Sequence, residues 1–140
     1  MRGNAPILLV DDDRVDVMTV RRALQDIKIT NPLKVAGNGE EALAFLRDEE
    51  KRLPCLILLD LRMPRMGGIE FLKVAKQDEL LKRIPVVVLT TSREERDRMD
   101  SFNLGVAGYM VKPVHYREFM EVIRTIEVYW TLSELPPECE

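Results

Sequence analysis

The sequence predicts an α/β fold, a doubly wound parallel sheet of five strands with helices on both faces. Three observations predict it. Short apolar runs alternate with segments of helical periodicity from end to end, the pattern that successive βαβ crossovers leave in a chain. One run, Ile84-Pro85-Val86-Val87-Val88-Leu89, is so uniformly apolar that both its faces must be covered, which places it at the centre of the sheet. The 140 residues are enough for one core of ordinary size and too few for two.

Each element follows in turn. Ala5 to Val10 is the first strand, and Val15, Met18, Val20, Leu24 and Ile27 give the apolar side of a helix. Asn31-Pro32 breaks the chain before a weaker second strand, Leu33 to Ala36. The turn Gly37-Asn38-Gly39 opens helix two, where Ala42, Leu43, Phe45 and Leu46 fall close to the i, i+3, i+4 template. Strand three is Cys55 to Leu59, and after Gly67-Gly68 a third helix carries Ile69, Leu72, Val74 and Ala75. Strand four is Ile84 to Leu89. Ser92-Arg93-Glu94-Glu95 reads as a cap with acids in the first turn, where the helix dipole favours them, and that helix runs to about Leu104. Val106 to Val111 is strand five, and a last helix from about Tyr116 to Leu132 sets Phe119, Val122, Ile123, Ile126 and Trp130 on one face.

Composition narrows the function. Twenty-one basic against 24 acidic residues, a net charge of −3, give no field that would draw nucleic acid or an anionic membrane. No apolar run approaches the roughly 20 residues of a membrane span, and Met1-Arg2-Gly3-Asn4 leads into a strand and not a signal peptide, so a cytoplasmic protein is expected. Cys55 and Cys139 are expected to be free thiols.

In open parallel sheets the ligand crevice lies beyond the carboxyl ends of the strands. Strand one ends on Asp11-Asp12-Asp13, strand three on Asp60, strand four on Thr90-Thr91-Ser92 and strand five on Lys112-Pro113. Any one of these could be an ordinary loop start; all four at one rim are harder to dismiss. Asp11, Asp12 and Asp60 in one crevice would repel one another unless a cation joined them. All the candidate ligands are hard oxygens and carboxylates are few, which suits Mg²⁺ retaining several waters better than a Ca²⁺ cage or a Zn²⁺ site. Lys112 adds a positive charge and Thr90 a hydroxyl, so a phosphoryl group could be held from three sides. There is no Gly-rich phosphate loop and no Ser/His or Cys/His pair. The nucleophile is then a carboxylate, and the product an aspartyl phosphate.

Asp11-Asp12, Asp60 with Met63-Pro64 and Gly68, Thr90, and Tyr109 followed by Lys112-Pro113 resemble the receiver domain of two-component response regulators. The resemblance covers residues 5–128 and leaves 129–140 as a helix extension and tail. It implies a flavodoxin-like strand order 2-1-3-4-5, Asp60 as phosphoacceptor, and a metal held by Asp12, by Asp11 mostly through water, by Asp60 and by the backbone carbonyl of Arg62. It further implies that Lys112 neutralises the phosphoryl group, that Thr90 follows its oxygen, and that the Lys112-Pro113 bond is cis. Thr90 and Tyr109 form the family's switch. Arg62 and Ser92 stand at the two positions that tune phosphoryl lifetime, and neither matches the amide and acid of chemotaxis-type members. Arg62 could shield the phosphoryl group, pair with it or point to solvent. Asp13 has no family role and reads as a helix cap.

TTSREERDRMDSF, GVAGYMVKPV and the tail resemble the stand-alone, dimeric response regulators associated with bacterial phytochromes. Tyr129-Trp130-Thr131-Leu132 extends the last helix, and Met120, Val128 and Leu132 lie away from its core face; Tyr129, Trp130 and Leu132 are an expected homodimer contact unless Tyr129 and Trp130 fold back onto the core. His115 is the only histidine, so the phosphodonor is expected on a separate sensor histidine kinase. No DNA-binding module is expected after the last helix. Two rival readings have a sequence basis: a receiver-fold module that works unphosphorylated, and a Mg²⁺-dependent phosphohydrolase, which would want an acid where Arg62 stands.

Overall fold

A computed structural model describes residues 4–112 and 115–132, with backbone only for Tyr116 and for 126–132. Five strands, β1 (Ile7–Val10), β2 (Leu33–Ala36), β3 (Leu56–Leu59), β4 (Val86–Thr90) and β5 (Gly108–Val111), alternate with five α-helices. The helices are α1 (Arg14–Asp26), α2 (Gly39–Leu46), α3 (Gly68–Ala75), α4 (Glu95–Asn103) and α5 (Tyr116–Leu132). All strand pairs are parallel, in the order β2-β1-β3-β4-β5. The middle place therefore belongs to β3 and not β4, although β4 is buried throughout its length.

The period of two along a strand divides the core into two layers. Leu8, Val10, Ile57, Leu59, Val86 and Val88 face α2 and α3, where Ala42, Leu43, Leu46, Phe71, Leu72 and Ala75 complete one layer. Ile7, Leu9, Leu56, Leu58, Val87 and Leu89 face α1 and α5, meeting Val20, Ala23, Leu24, Phe119 and Ile123. Because β1, β3 and β4 are covered on both sides, each is a continuous apolar run with no polar alternation. Cys55 is buried in the second layer, its thiol 3.7 Å from the Pro6 carbonyl.

Two helices depart from their sequence reading. On α1 the buried positions are Val20, Ala23 and Leu24, whereas Val15 and Met18 are 69% and 67% exposed. On α4 the helix starts at Glu95, with Glu94 in the cap position and no side-chain cap bond. The Ser92 hydroxyl accepts weakly from the Glu94 amide and donates to the Asp97 carboxylate instead.

Asp13 caps α1 as expected, its carboxylate accepting from the amides of Val15 at 2.8 Å and Asp16 at 3.4 Å. Asp13→Ala is expected to cost about 1 kcal/mol, read as a lowered urea midpoint at unchanged slope. Asn38 caps α2 in the same way through the Glu41 amide.

Candidate functional site

The sheet register delivers the site. Val10 pairs with Leu59 in the β1–β3 ladder, so the next residue on each strand, Asp11 and Asp60, emerges at the same height on the same side. Their backbones are fixed by the last bonds of the ladder: the Asp60 amide donates to the Val10 carbonyl and the Asp11 amide to that of Ala36, both at 2.9 Å. On the other side Thr90 pairs with Val111, and the Lys112 amide donates to the Thr90 carbonyl at 2.8 Å.

Carboxylate oxygens of Asp11, Asp12 and Asp60 lie within 4.8 Å of one another. Asp11 and Asp60 are buried and Asp12 is exposed. The Lys112 ammonium reaches into the cluster, 2.7 Å from Asp11 and 3.7 Å from Asp60. A third acid holds it as well: Asp16, in the first turn of α1, accepts from Lys112 at 2.6 Å. The sequence reading missed Asp16. Its signal is faint, an acid three residues after the Asp13 cap, and nothing local reveals a lysine 96 positions away.

Burial pushes the Asp11 carboxyl above its ordinary value, outweighing the hydrogen bonds from Lys112 and the Asp13 amide, and the nearby Asp60 charge pushes the same way. A raised carboxyl value means the fold prefers Asp11 protonated. That contribution is present below the ordinary value of 3.8 and is lost as pH rises through the folded one. A cation bound beside Asp11 would favour its ionised form and oppose the effect of burial. Burial acts to lower Lys112, but its bonds to Asp11 and Asp16 and the charges of Asp60 and Asp11 prevail and raise it. The contribution of the raised Lys112 is present below the ordinary lysine value of 10.5, while its carboxylate partners are ionised, and is lost as pH rises through the folded value.

Thr90 ends β4 fully buried, and its hydroxyl oxygen accepts from the Ser92 amide at 3.2 Å. Tyr109 on β5 is half-buried, donates to the Ser92 carbonyl at 3.1 Å, and lies against Phe102 of α4 with Arg98 over its ring. Beside it a groove of about 780 Å³ runs between β5 and α5, lined by residues that include Arg98, Tyr109, Met110, His115 and Val122. Arg62, two residues past Asp60, turns away from the acids to Asp97 at 2.5 Å and Glu94 at 3.4 Å. The Lys112-Pro113 peptide, the side chains of Tyr129, Trp130 and Leu132, and Cys139 lie outside the described residues.

The loop from Asp60 to α3 is shaped by contact. The Gly68 amide donates to the Leu61 carbonyl, and a Cβ on Gly68 would lie 2.6 Å from the Asp60 carbonyl oxygen. Arg65 takes a positive φ of 64°, and the Met66 carbonyl accepts from the Gly39 amide at the start of α2.

Residues 7–124 match the response regulator receiver domain model. The chain belongs to that family. Similar proteins include the probable methanogenesis regulatory protein FilR2 of Methanothrix harundinacea, 36% identical over 89% of this chain and 82% of its own length. Response regulator Rcp1 of Synechocystis is 40% identical over 89% of this chain and 87% of its own. Its Mn²⁺-bound structure superposes with a TM-score of 0.79 at 39% identity, covering 94% of this chain and 99% of that one. The phosphorylated cyanobacterial phytochrome response regulator RcpA gives 0.81 at 36% identity, covering 96% and 99%. This receiver domain is thus related to phytochrome response regulators, and an acidic cluster with a Mn²⁺-bound relative points to divalent metal binding.

Proposed function

We propose that this response regulator accepts a phosphoryl group on Asp60 from the phosphohistidine of a partner sensor kinase of the phytochrome class, with Mg²⁺ as the cation, in the cytoplasm. The single observation that carries the reading is the convergence of Asp11, Asp12 and Asp60 within 4.8 Å, with Lys112 as the facing cation. The donor set fits Mg²⁺: hard oxygens, one exposed carboxylate open to water, and two buried carboxylates, Asp11 and Asp60, that share one ammonium. Asp11 and Asp12 would hold the metal with Asp60 and the Arg62 carbonyl, and when bound the metal would neutralise charge on the phosphoryl oxygens.

Asp60 is held rigidly by the β3 ladder, with an oxygen turned to the crevice. That oxygen attacks phosphorus, the phosphorus–nitrogen bond of the donor breaks, and its electron pair stays on the imidazole. Lys112 follows the transferred charge, and the Thr90 hydroxyl turns toward a phosphoryl oxygen. The protein thereby catalyses only its own phosphorylation and dephosphorylation. Movement of Thr90 frees room for Tyr109, whose bond to the Ser92 carbonyl ties it to the β4–α4 loop, and the α4–β5–α5 surface changes for a protein partner. Tyr129, Trp130 and Leu132 belong in this reading to a homodimer contact, which light-scattering mass checks: a monomer with and without phosphorylation overturns it.

Incubation with acetyl phosphate tests the whole. Intact mass is expected to rise by one phosphoryl group with Mg²⁺ and to stay unchanged with chelator. Steady release of phosphate in large excess would instead mark a phosphohydrolase, and no gain a passive module.

Asp16 enters as a competitor, since it draws Lys112 toward α1. Asp16→Asn is expected to speed phosphoryl gain from acetyl phosphate about tenfold, the rate equivalent of a charged hydrogen bond at the low end of its range, roughly 1.5 kcal/mol. An unchanged rate would leave Asp16 with a purely structural role.

A further inference from the structure

Arg62 and α4 are joined by a network that the phosphotransfer reading does not use. Asp97, in the first turn of α4, is only 15% exposed and receives two donors on one oxygen, the Arg62 guanidinium and the Ser92 hydroxyl, each at 2.5 Å. Glu94 adds a second, exposed carboxylate at 3.4 Å from the same guanidinium nitrogen. The Ser92 carbonyl in turn accepts from Tyr109, and the Ser92 amide donates to Thr90. One carboxylate therefore ties the loop after Asp60 to the start of α4 and, through Ser92, to both switch residues.

We propose that Asp97 is a positioning residue that holds Arg62 off the phosphoryl site in the resting protein, and that a phosphoryl group on Asp60 competes for this arginine and loosens the start of α4. The proposal rests on the reading of Asp60 as phosphoacceptor. Its physical basis is that a guanidinium prefers the more highly charged and more forked acceptor, and Arg62 sits on the same loop as Asp60, two residues on. Arg62 is half-exposed, so the pair is worth little enough to exchange. Asp97 is only 15% exposed, and among the described residues Ser92 is its other side-chain partner.

The consequence is for phosphoryl lifetime. Hydrolysis forms a bond from a water oxygen to phosphorus and breaks the bond from phosphorus to the Asp60 oxygen. The electron pair returns to the carboxylate, and the water's protons leave with inorganic phosphate and solvent. A guanidinium laid across the phosphoryl oxygens obstructs that water. Asp97 shortens the lifetime by competing for the arginine, and α4 carries the energetic record of which partner holds it.

The test uses the full chain as wild type, Arg62→Gln, Asp97→Ala and the double variant, each phosphorylated with acetyl phosphate and Mg²⁺ and followed by intact mass after the donor is removed. Asp97→Ala is expected to retain the group about two- to fivefold longer, the range of a half-exposed ion pair. The double variant is expected to decay as Arg62→Gln does. In the unphosphorylated proteins, hydrogen exchange of α4 amides is expected to quicken in both single variants and no further in the double. An Asp97→Ala lifetime that is unchanged, or lengthened equally without Arg62, overturns the proposal while leaving Asp60 as phosphoacceptor. If no protein gains a phosphoryl group, the Asp60 reading fails and takes the competition with it, and the exchange data alone then decide whether the resting contact exists.

Discussion

Asp60→Asn is expected to take up no phosphoryl group under conditions that phosphorylate the wild type, and to keep a resting fold at least as stable. The first result follows from chemistry at one atom. An amide of the same shape keeps the backbone bond to Val10 but offers no anionic oxygen to attack phosphorus. The second follows from electrostatics. The Asp60 charge is among the causes that raise Asp11, so neutralising it relieves a like-charge repulsion inside a buried cluster. The price is a 3.7 Å contact to Lys112, which keeps its shorter bonds to Asp11 and Asp16. Intact mass reads the first outcome and urea unfolding the second; phosphorylation of Asp60→Asn at wild-type stoichiometry would place the acceptor elsewhere.

Gly68→Ala is expected to damage both fold and site. Its added Cβ would meet the Asp60 carbonyl oxygen at 2.6 Å, the Leu61 Cδ2 at 2.7 Å and the Leu61 Cα at 2.8 Å. Two of these are backbone atoms that cannot step aside without moving the Asp60–Leu61 peptide. The overpacking cost is about 1–3 kcal/mol, visible in the urea midpoint, and the rate of phosphoryl gain falls with it because the acceptor peptide itself shifts. Gly39→Ala is the control. There the Cβ meets the Met66 side chain at 2.6 Å, a flexible thioether that can rotate away. Equal damage from the two substitutions would refute the distinction between backbone and side-chain neighbours.

The architecture was readable because three strands are buried on both faces and so appear as unbroken apolar runs, while β2 and β5 were found from what flanks them. Periodicity alone could not order the strands. It favoured β4 as the middle one, since β3 is the shorter run; the resemblance to receivers supplied the order the sheet has. At the site, the strand-end residues were legible because each follows its strand directly. Asp16 was not, since its partner comes from β5 and its own helix was read only for an apolar stripe. That stripe was drawn one turn too far: the buried positions of α1 begin at Val20, and Val15 and Met18 stand in solvent. Ser92 matched a capping signature, but its hydroxyl donates to Asp97 across the turn, on the oxygen that Arg62 also reaches from another loop.

The bond from Lys112 to Asp11 joins residues 101 positions apart, so the site closes a loop that spans most of the chain. Closing such a loop is entropically late, after the intervening elements have paired. A chain still emerging from the ribosome, or one with β5 undocked, carries Asp60 on a formed β3 but no facing ammonium. The cluster at the strand ends is thus complete only once β5 has docked, and its geometry depends on a contact that spans most of the chain.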